Sequence, residues 1–200
     1  GKELKLAAEV DASVSDFMTT ARLYCSGLNF TFNPHRMILN KVTDCYLTRE
    51  DGERIEIQDD QLYRVVTDLY TGQMLGSVME MSYGLLKIEP KDKDGNPIEN
   101  LEDQAIMEGD KELKAWDAIA RYMKSFDDTD GNGISNVPEY YETTHGRKVV
   151  DESRNVIDLV KNPNKFSVMI VGIVLVLIMI IILLVVLIRK LIKKRRRKKK

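Results

Sequence analysis

Asp128, Asp130 and Asn132 alternate along the chain and are followed by Ile134, Asn136 and Glu139, with glycine at 131 and 133. Counted on the twelve-residue calcium loop, side-chain oxygens fall at positions 1, 3, 5, 9 and 12, and Gly133 takes position 6. A hard divalent cation wants six to eight oxygens, and the glycine permits the sharp turn that converges them. Ile134 would add its backbone carbonyl. The expected ligands are therefore Asp128, Asp130, Asn132, Ile134, Asn136 and Glu139, the ion Ca2+, and the role structural. Two features depart from a paired helix–loop–helix site: Ser135 stands where an apolar residue is usual, and Pro138 stands where the exiting helix would begin. An acidic, glycine-rich surface turn is the competing reading.

Other reactive side chains are few. Two cysteines and two histidines exclude a disulfide-rich mini-domain and a zinc site built from Cys and His. Cys25 and Cys45 would sit nearly opposite on a hairpin turning near His35, which leaves a cross-strand disulfide and a pair of buried thiols both open. No Cys/His nucleophile pair is present. His35 reads as a turn residue and His145 as part of a polar loop, both solvated. Asn29-Phe30-Thr31 is a glycosylation sequon, but it lies inside an expected strand.

The elements that would position these residues follow from periodicity. Residues 2–12 suit a short helix, with Leu4, Ala7, Ala8 and Val10 as its apolar positions. Residues 22–32 and 39–47 read as a β-hairpin across Asn33-Pro34-His35, with Leu28, Phe30 and Phe32 on one face. Asp51-Gly52 is a turn before a short strand at 54–57. Residues 61–68, around Tyr63-Arg64-Val65-Val66, read as a buried central strand. A Met-rich helix is expected over 70–81, and residues 85–89 and Ile98 flank the turn Lys93-Asp94-Gly95-Asn96-Pro97. The clearest soluble helix runs over 110–126, with Asp110 as N-cap and Leu113, Trp116, Ile119, Ala120, Met123 and Phe126 as a core-facing stripe. These elements describe an α+β domain with a mostly antiparallel sheet and packed helices.

The carboxyl end departs from that composition. Residues 167–188 carry no charge, and 18 of these 22 are Ile, Leu or Val. As a helix they extend about 33 Å, which matches a hydrocarbon core of about 30 Å. Their insertion is favourable by about 5–11 kcal/mol. A single transmembrane helix is expected. Ten of the last twelve residues are Lys or Arg, so residues 1–188 retain 20 basic against 31 acidic side chains, a charge of about −11. Such a basic flank stays cytoplasmic, which places the head outside and the carboxyl terminus inside the cell membrane. The tail lacks the interleaved aromatics of a nucleic-acid binder, so no nucleic-acid partner is expected. Residues 161–165 contain no sortase-type sorting signal. Export needs a signal peptide and none precedes Gly1, so the expectation is a carboxyl-terminal piece of a longer chain.

Three stretches resemble the carboxyl-terminal domain of the 5′-nucleotidase family, two-domain metallophosphoesterases of the cell surface and periplasm. Gly1-Lys2-Glu3-Leu4-Lys5 resembles the family's Thr-Gly-Lys-x-Leu-Lys helix start. Ser26-Gly27-Leu28, leading into Phe30-Thr31-Phe32-Asn33-Pro34, is similar to its Val-Ser-Gly-Leu strand. Tyr63-Arg64-Val65-Val66-Thr67-Asp68-Leu69-Tyr70 is similar to its Tyr-Arg-Val-Ala-Thr-Asn-Asp-Phe. The resemblance covers about residues 1–125. It implies that Tyr70 stacks on a nucleobase, against the simpler reading of a core tyrosine at a strand end. It also implies that the parent hydrolyses nucleotides or other phosphate esters with two divalent metals held in an amino-terminal domain. Where the family continues Gly-Gly-Asp-Gly, this chain has Met74-Leu75-Gly76-Ser77-Val78. The Asp128–Ile134 run is similar to the isolated calcium loops of thrombospondin type 3 and related extracellular repeats, which implies a weak structural site.

The organisation expected is thus a nucleotidase-like domain at 1–126, a calcium loop at 127–141, a juxtamembrane linker at 142–166, the membrane helix at 167–188 and a basic cytoplasmic tail at 189–200. The expected function is substrate binding and membrane anchoring for an exported hydrolase that is inactive as this piece alone. The competing function is a non-catalytic, calcium-stabilised extracytoplasmic module.

Overall fold

A computed structural model describes residues 1–14 and 22–198. The fold mixes helices with a four-stranded mixed sheet and ends in one long apolar helix.

The first helix, α1 (Lys2–Val14), buries an unusual face. Ala8 and Ala12 lie against Phe30, the most deeply buried aromatic among the described residues at 1 % exposure, while Val10 points to a second cluster with Leu39, Leu86 and Phe166. Between these apolar positions stand Glu9, Asp11 and Ser13, also buried. Buried polar and charged groups are tolerated when they are hydrogen-bonded, and each of the three is. Glu9 accepts the Lys41 N–H at 2.6 Å, the Val42 N–H at 2.8 Å and the Ser13 hydroxyl at 2.9 Å. Ser13 Oγ accepts the Leu39 N–H at 2.9 Å, and Asp11 meets Lys148 Nζ at 2.9 Å and the Leu23 N–H at 2.7 Å. The polar side chains of α1 therefore tie down the chain on both sides of the central strand.

That strand, β1 (Leu28–Phe32), pairs antiparallel with β2 (Val42–Thr48), which pairs antiparallel with β3 (Arg54–Glu56). Arg54 holds the β2–β3 edge by two bonds to Asp44, at 2.8 and 2.9 Å. On its other side β1 pairs in parallel with β6 (Lys148–Val150). The order β3-β2-β1-β6 keeps the two antiparallel pairs that the sequence implies and adds one parallel pair. The stretch read as a juxtamembrane linker supplies β6, the short helix α4 (Val156–Val160) and Phe166 of the core. Its anchor is the Asn33–Asn40 turn. Asn33 Nδ2 donates to the Ser153 carbonyl at 2.7 Å, and buried Arg36 donates to the carbonyls of Asn40, Asp158 and Lys161.

Two expected elements differ. Residues 61–68 form no strand, and Val66 is 70 % exposed. After β3 the chain folds back onto the start of α1, where Lys2 N–H donates to the Asp59 carbonyl at 3.1 Å, so the stretch is drawn off the sheet edge that its β-branched residues would need. The helix expected over 110–126 begins only at Ala115. Gly109-Asp110 instead turns a small hairpin, β4 (Met107–Glu108) with β5 (Lys111–Glu112), and Gly109 takes φ +60° as such turns demand. The shortened helix α3 (Ala115–Lys124) is capped at Lys114 without a side-chain bond, and Trp116, Ile119 and Met123 of its stripe face solvent, with Trp116 69 % exposed.

The helix α2 (Leu69–Met81) forms where it was expected, its first turn held by Asp68, which accepts the Thr71 N–H at 2.9 Å. The last helix, α5 (Lys165–Lys198), contains the apolar stretch 167–188 and carries the basic run onward in the same helix. It is long and apolar enough to cross a membrane, and none of its apolar window is buried against the head.

Candidate functional site

The aspartate loop follows α3 directly. Asp128 is its hub: one carboxylate oxygen accepts the N–H of Gly131 at 2.8 Å and Asn132 at 3.2 Å, and the other accepts Gly133 N–H at 2.8 Å. These bonds, that from Gly133 first, hold its carboxyl below the usual range. Asp130 accepts the Asn132 N–H at 3.2 Å and its side-chain amide at 2.9 Å; Asn132 Oδ1 accepts the Ile134 N–H at 2.8 Å. Asn136 closes the loop, accepting Thr129 N–H at 2.7 Å while its own N–H donates to the Asp127 carbonyl at 2.9 Å. Gly131 and Gly133, at φ +72° and +85°, supply the left-handed backbone that wraps the chain around Asp128. Glu139 lies apart at the start of the 3-10 turn Glu139–Glu142. Among the described residues no three His, Cys, Asp or Glu side chains gather as a metal cluster. The donor set that the loop offers is nonetheless all oxygen and suits a hard cation.

An aromatic cluster that spacing along the chain does not reveal brackets this loop. Tyr122 and Phe126 come from α3 and the residue group just after it, Tyr140 and Tyr141 from the 3-10 turn, and His145 from beyond it. Ring centroids are 5.0 Å apart for Tyr122–Phe126, 5.7 Å for Phe126–Tyr141 and 5.0 Å for Tyr140–Tyr141. His145 stacks on Tyr140 at 4.1 Å and is half-buried, where the sequence implied a solvated loop histidine. Tyr122 and Tyr141 share a hydroxyl–hydroxyl hydrogen bond, which pushes the Tyr141 phenol up. The adjacent tyrosines at 140 and 141, just past an acidic loop, were the available signal. Edge and stacked contacts of this kind join α3 to the 3-10 turn across the loop.

Tyr70, the second candidate, occupies the first turn of α2 and is 63 % exposed. It is on a helix start and not at a strand end. The stretch 74–78 that replaces the family's acidic glycine loop lies inside α2, and Val78 packs on the cluster of Val10, Leu39, Leu86 and Phe166. Among the described residues no hydrogen bond joins the aspartate loop to Tyr70. A shallow depression of about 250 Å³ is lined by Asp92, Ile98, Glu99, Asn100 and Asp103, around the turn at 92–97.

The cysteines are free thiols, both half-buried. The hairpin register pairs Phe30 with Cys45, five residues beyond the expected partner, and Cys25 precedes the strand. Burial pushes the Cys45 thiol up to about 11 and raises that of Cys25. Asn29 is buried, its amide donating to Thr48 Oγ1 at 2.6 Å and to the Gly27 carbonyl at 3.2 Å, so the sequon is occupied by structure.

Comparison with protein-family models, curated proteins and solved structures returns no match for this chain.

Proposed function

We propose that the chain is the substrate-binding carboxyl-terminal domain and membrane anchor of an exported 5′-nucleotidase-type metallophosphoesterase. The observation that carries this reading is the meeting of the three resembling stretches. The first runs into α1, and Lys5 Nζ pairs with Asp59 at 2.7 Å, just ahead of the third. A Cβ at Gly1 would fall 1.8 Å from the Gln58 carbonyl oxygen, so this close approach requires glycine. The second forms inner strand β1, on which α1 lies. Catalysis belongs to the amino-terminal domain of the parent, with its two metals. Tyr70 offers a ring to a nucleobase, and Ca2+ on Asp128, Asp130, Asn132, Ile134, Asn136 and Glu139 would stiffen the loop. The basic tail lies in the cytoplasm and the head outside.

Calorimetric titration of the chain in lipid nanodiscs with adenosine and AMP tests the reading. Saturable heat is expected, weakened about 5–150-fold by Tyr70→Ala, the share that one base–aromatic stack of about 1–3 kcal/mol carries. Absence of heat at millimolar ligand overturns nucleoside binding. A second reading, a non-catalytic calcium-stabilised module, draws on half-buried Val78, which packs the segment in place of the acidic loop against the core. That reading is favoured by the heatless outcome. Protease added to intact cells should trim the head and spare the basic tail; the reverse overturns the outward orientation.

A further inference from the structure

The apolar helix leaves the head without a spacer. Phe166 and Ser167 are buried at 5 % and 4 % exposure, and Val168, the next residue, is already turned out. Asn164 fixes this exit: its side-chain oxygen accepts the N–H of Phe166 at 3.1 Å and of Ser167 at 3.0 Å, its own N–H donates to Asn40 Oδ1 at 3.2 Å, and its amide donates to the Leu39 carbonyl. If residues 167–188 fill the hydrocarbon, about 33 Å of helix, then Phe166 sits at the bilayer interface and whatever touches Phe166 sits there too.

Two loops touch it. Each places one residue in the Phe166 cluster, Leu39 and Leu86, and turns apolar neighbours outward. Met37 and Ile38 precede Leu39 and are exposed. Tyr83 and Leu85 precede Leu86; Tyr83 is wholly exposed and holds φ +52°, a left-handed backbone that a bulky residue adopts at a cost. Lys165, with its ammonium 4.9 Å over the Phe166 ring, adds a cation at the same level. Exposed apolar side chains grouped around a membrane exit, with an aromatic and a lysine among them, are what an interfacial lipid contact requires.

We propose that Met37, Ile38, Tyr83 and Leu85 form a collar that enters the interfacial layer of the bilayer around α5, seating the head on the lipid surface. The proposal rests on the transmembrane reading of α5. The probe is tryptophan fluorescence of the full chain in phosphatidylcholine–phosphatidylglycerol vesicles, in a Trp116→Phe background, with brominated lipids as quenchers. Ile38→Trp and Leu85→Trp report the collar, Leu177→Trp the span, and Glu53→Trp the solvated turn past the far end of β2, a strand length from Leu39. The expected result is a blue shift and loss of intensity at 38 and 85 with lipid brominated near the headgroup, loss at 177 with lipid brominated deep in the chain, and neither at 53. Loss at 177 with 38 and 85 behaving like 53 overturns the collar and leaves the span standing. No loss at 177 overturns the span and the collar with it.

Discussion

Glu9 brings a carboxylate into the buried stretch of α1 that also holds Ala8, Val10, Asp11, Ala12 and Ser13, and its three acceptor contacts explain why it is there. Lys41 and Val42 lead into β2, and Glu9 accepts the N–H of both. Glu9→Ala removes a charged acceptor from two backbone donors, and its cost is expected at about 1.5–3 kcal/mol in denaturant unfolding. Ser13→Ala should cost less, since Glu9 keeps its backbone partners. Asp128 works by the same chemistry at the surface. Its carboxyl is held below the ordinary range by the N–H of Gly133, so the loop's contribution is in place above about pH 4, where the unfolded carboxyl is also ionised, and is lost as pH falls through the lowered folded value. Chemical shifts of the Gly131 and Gly133 amides followed on acidification should report that loss. At neutral pH, calcium is expected to raise the melting temperature, and Asp128→Ala to abolish the gain. A melting curve indifferent to calcium refutes the ion site.

At the scale of elements, what the sequence made legible was whatever depends on short-range pattern. Helix α1, the β1–β2 hairpin, β3, α2 and the apolar span each follow from periodicity, turn residues or length. What stayed hidden depends on partners far along the chain. Strand β6 is three residues long and becomes a strand only because β1 offers an open parallel edge. Tyr63-Arg64-Val65-Val66 has the composition of a buried strand, yet the return of the chain to α1 leaves it no ladder. The stripe on α3 has helical spacing, which marks an amphipathic helix but does not say what covers it. The candidate site was legible in the same measure: the aspartate loop from its spacing, the surrounding aromatic cluster not at all, because His145 and Tyr140 meet only through the turn at 139–142. The exposed stripe gives a direct check. Trp116→Ser should change stability by no more than about 0.5 kcal/mol, as for a surface substitution, and native Trp116 should emit at long wavelength and be fully open to iodide. A core tryptophan would cost about 3–5 kcal/mol on truncation and resist the quencher.

The whole molecule joins a head to a helix through a shared core. Phe166 belongs to α5 by backbone and to the head by packing, in one cluster with Val10 of α1, Leu39 of the turn before β2 and Leu86 after α2. A flexible tether would let α5 and the head melt independently. A shared aromatic makes the first turn of α5 part of the folding unit, and orders the head relative to the helix axis. Truncating it distinguishes the two arrangements. In detergent micelles, Phe166→Ala should destabilise the head by about 3–5 kcal/mol, the cost of a buried phenylalanine. Leu177→Ala, equally apolar and three turns further along the same helix, should leave the head's unfolding midpoint where it was, because that side chain is not buried against the head. Equal midpoints for Phe166→Ala and the parent chain would mean that the head folds without its anchor and that α5 hangs from it as a tether. A shift for Leu177→Ala as large as that for Phe166→Ala would mean instead that the apolar helix packs on the head along its length and does not cross a bilayer.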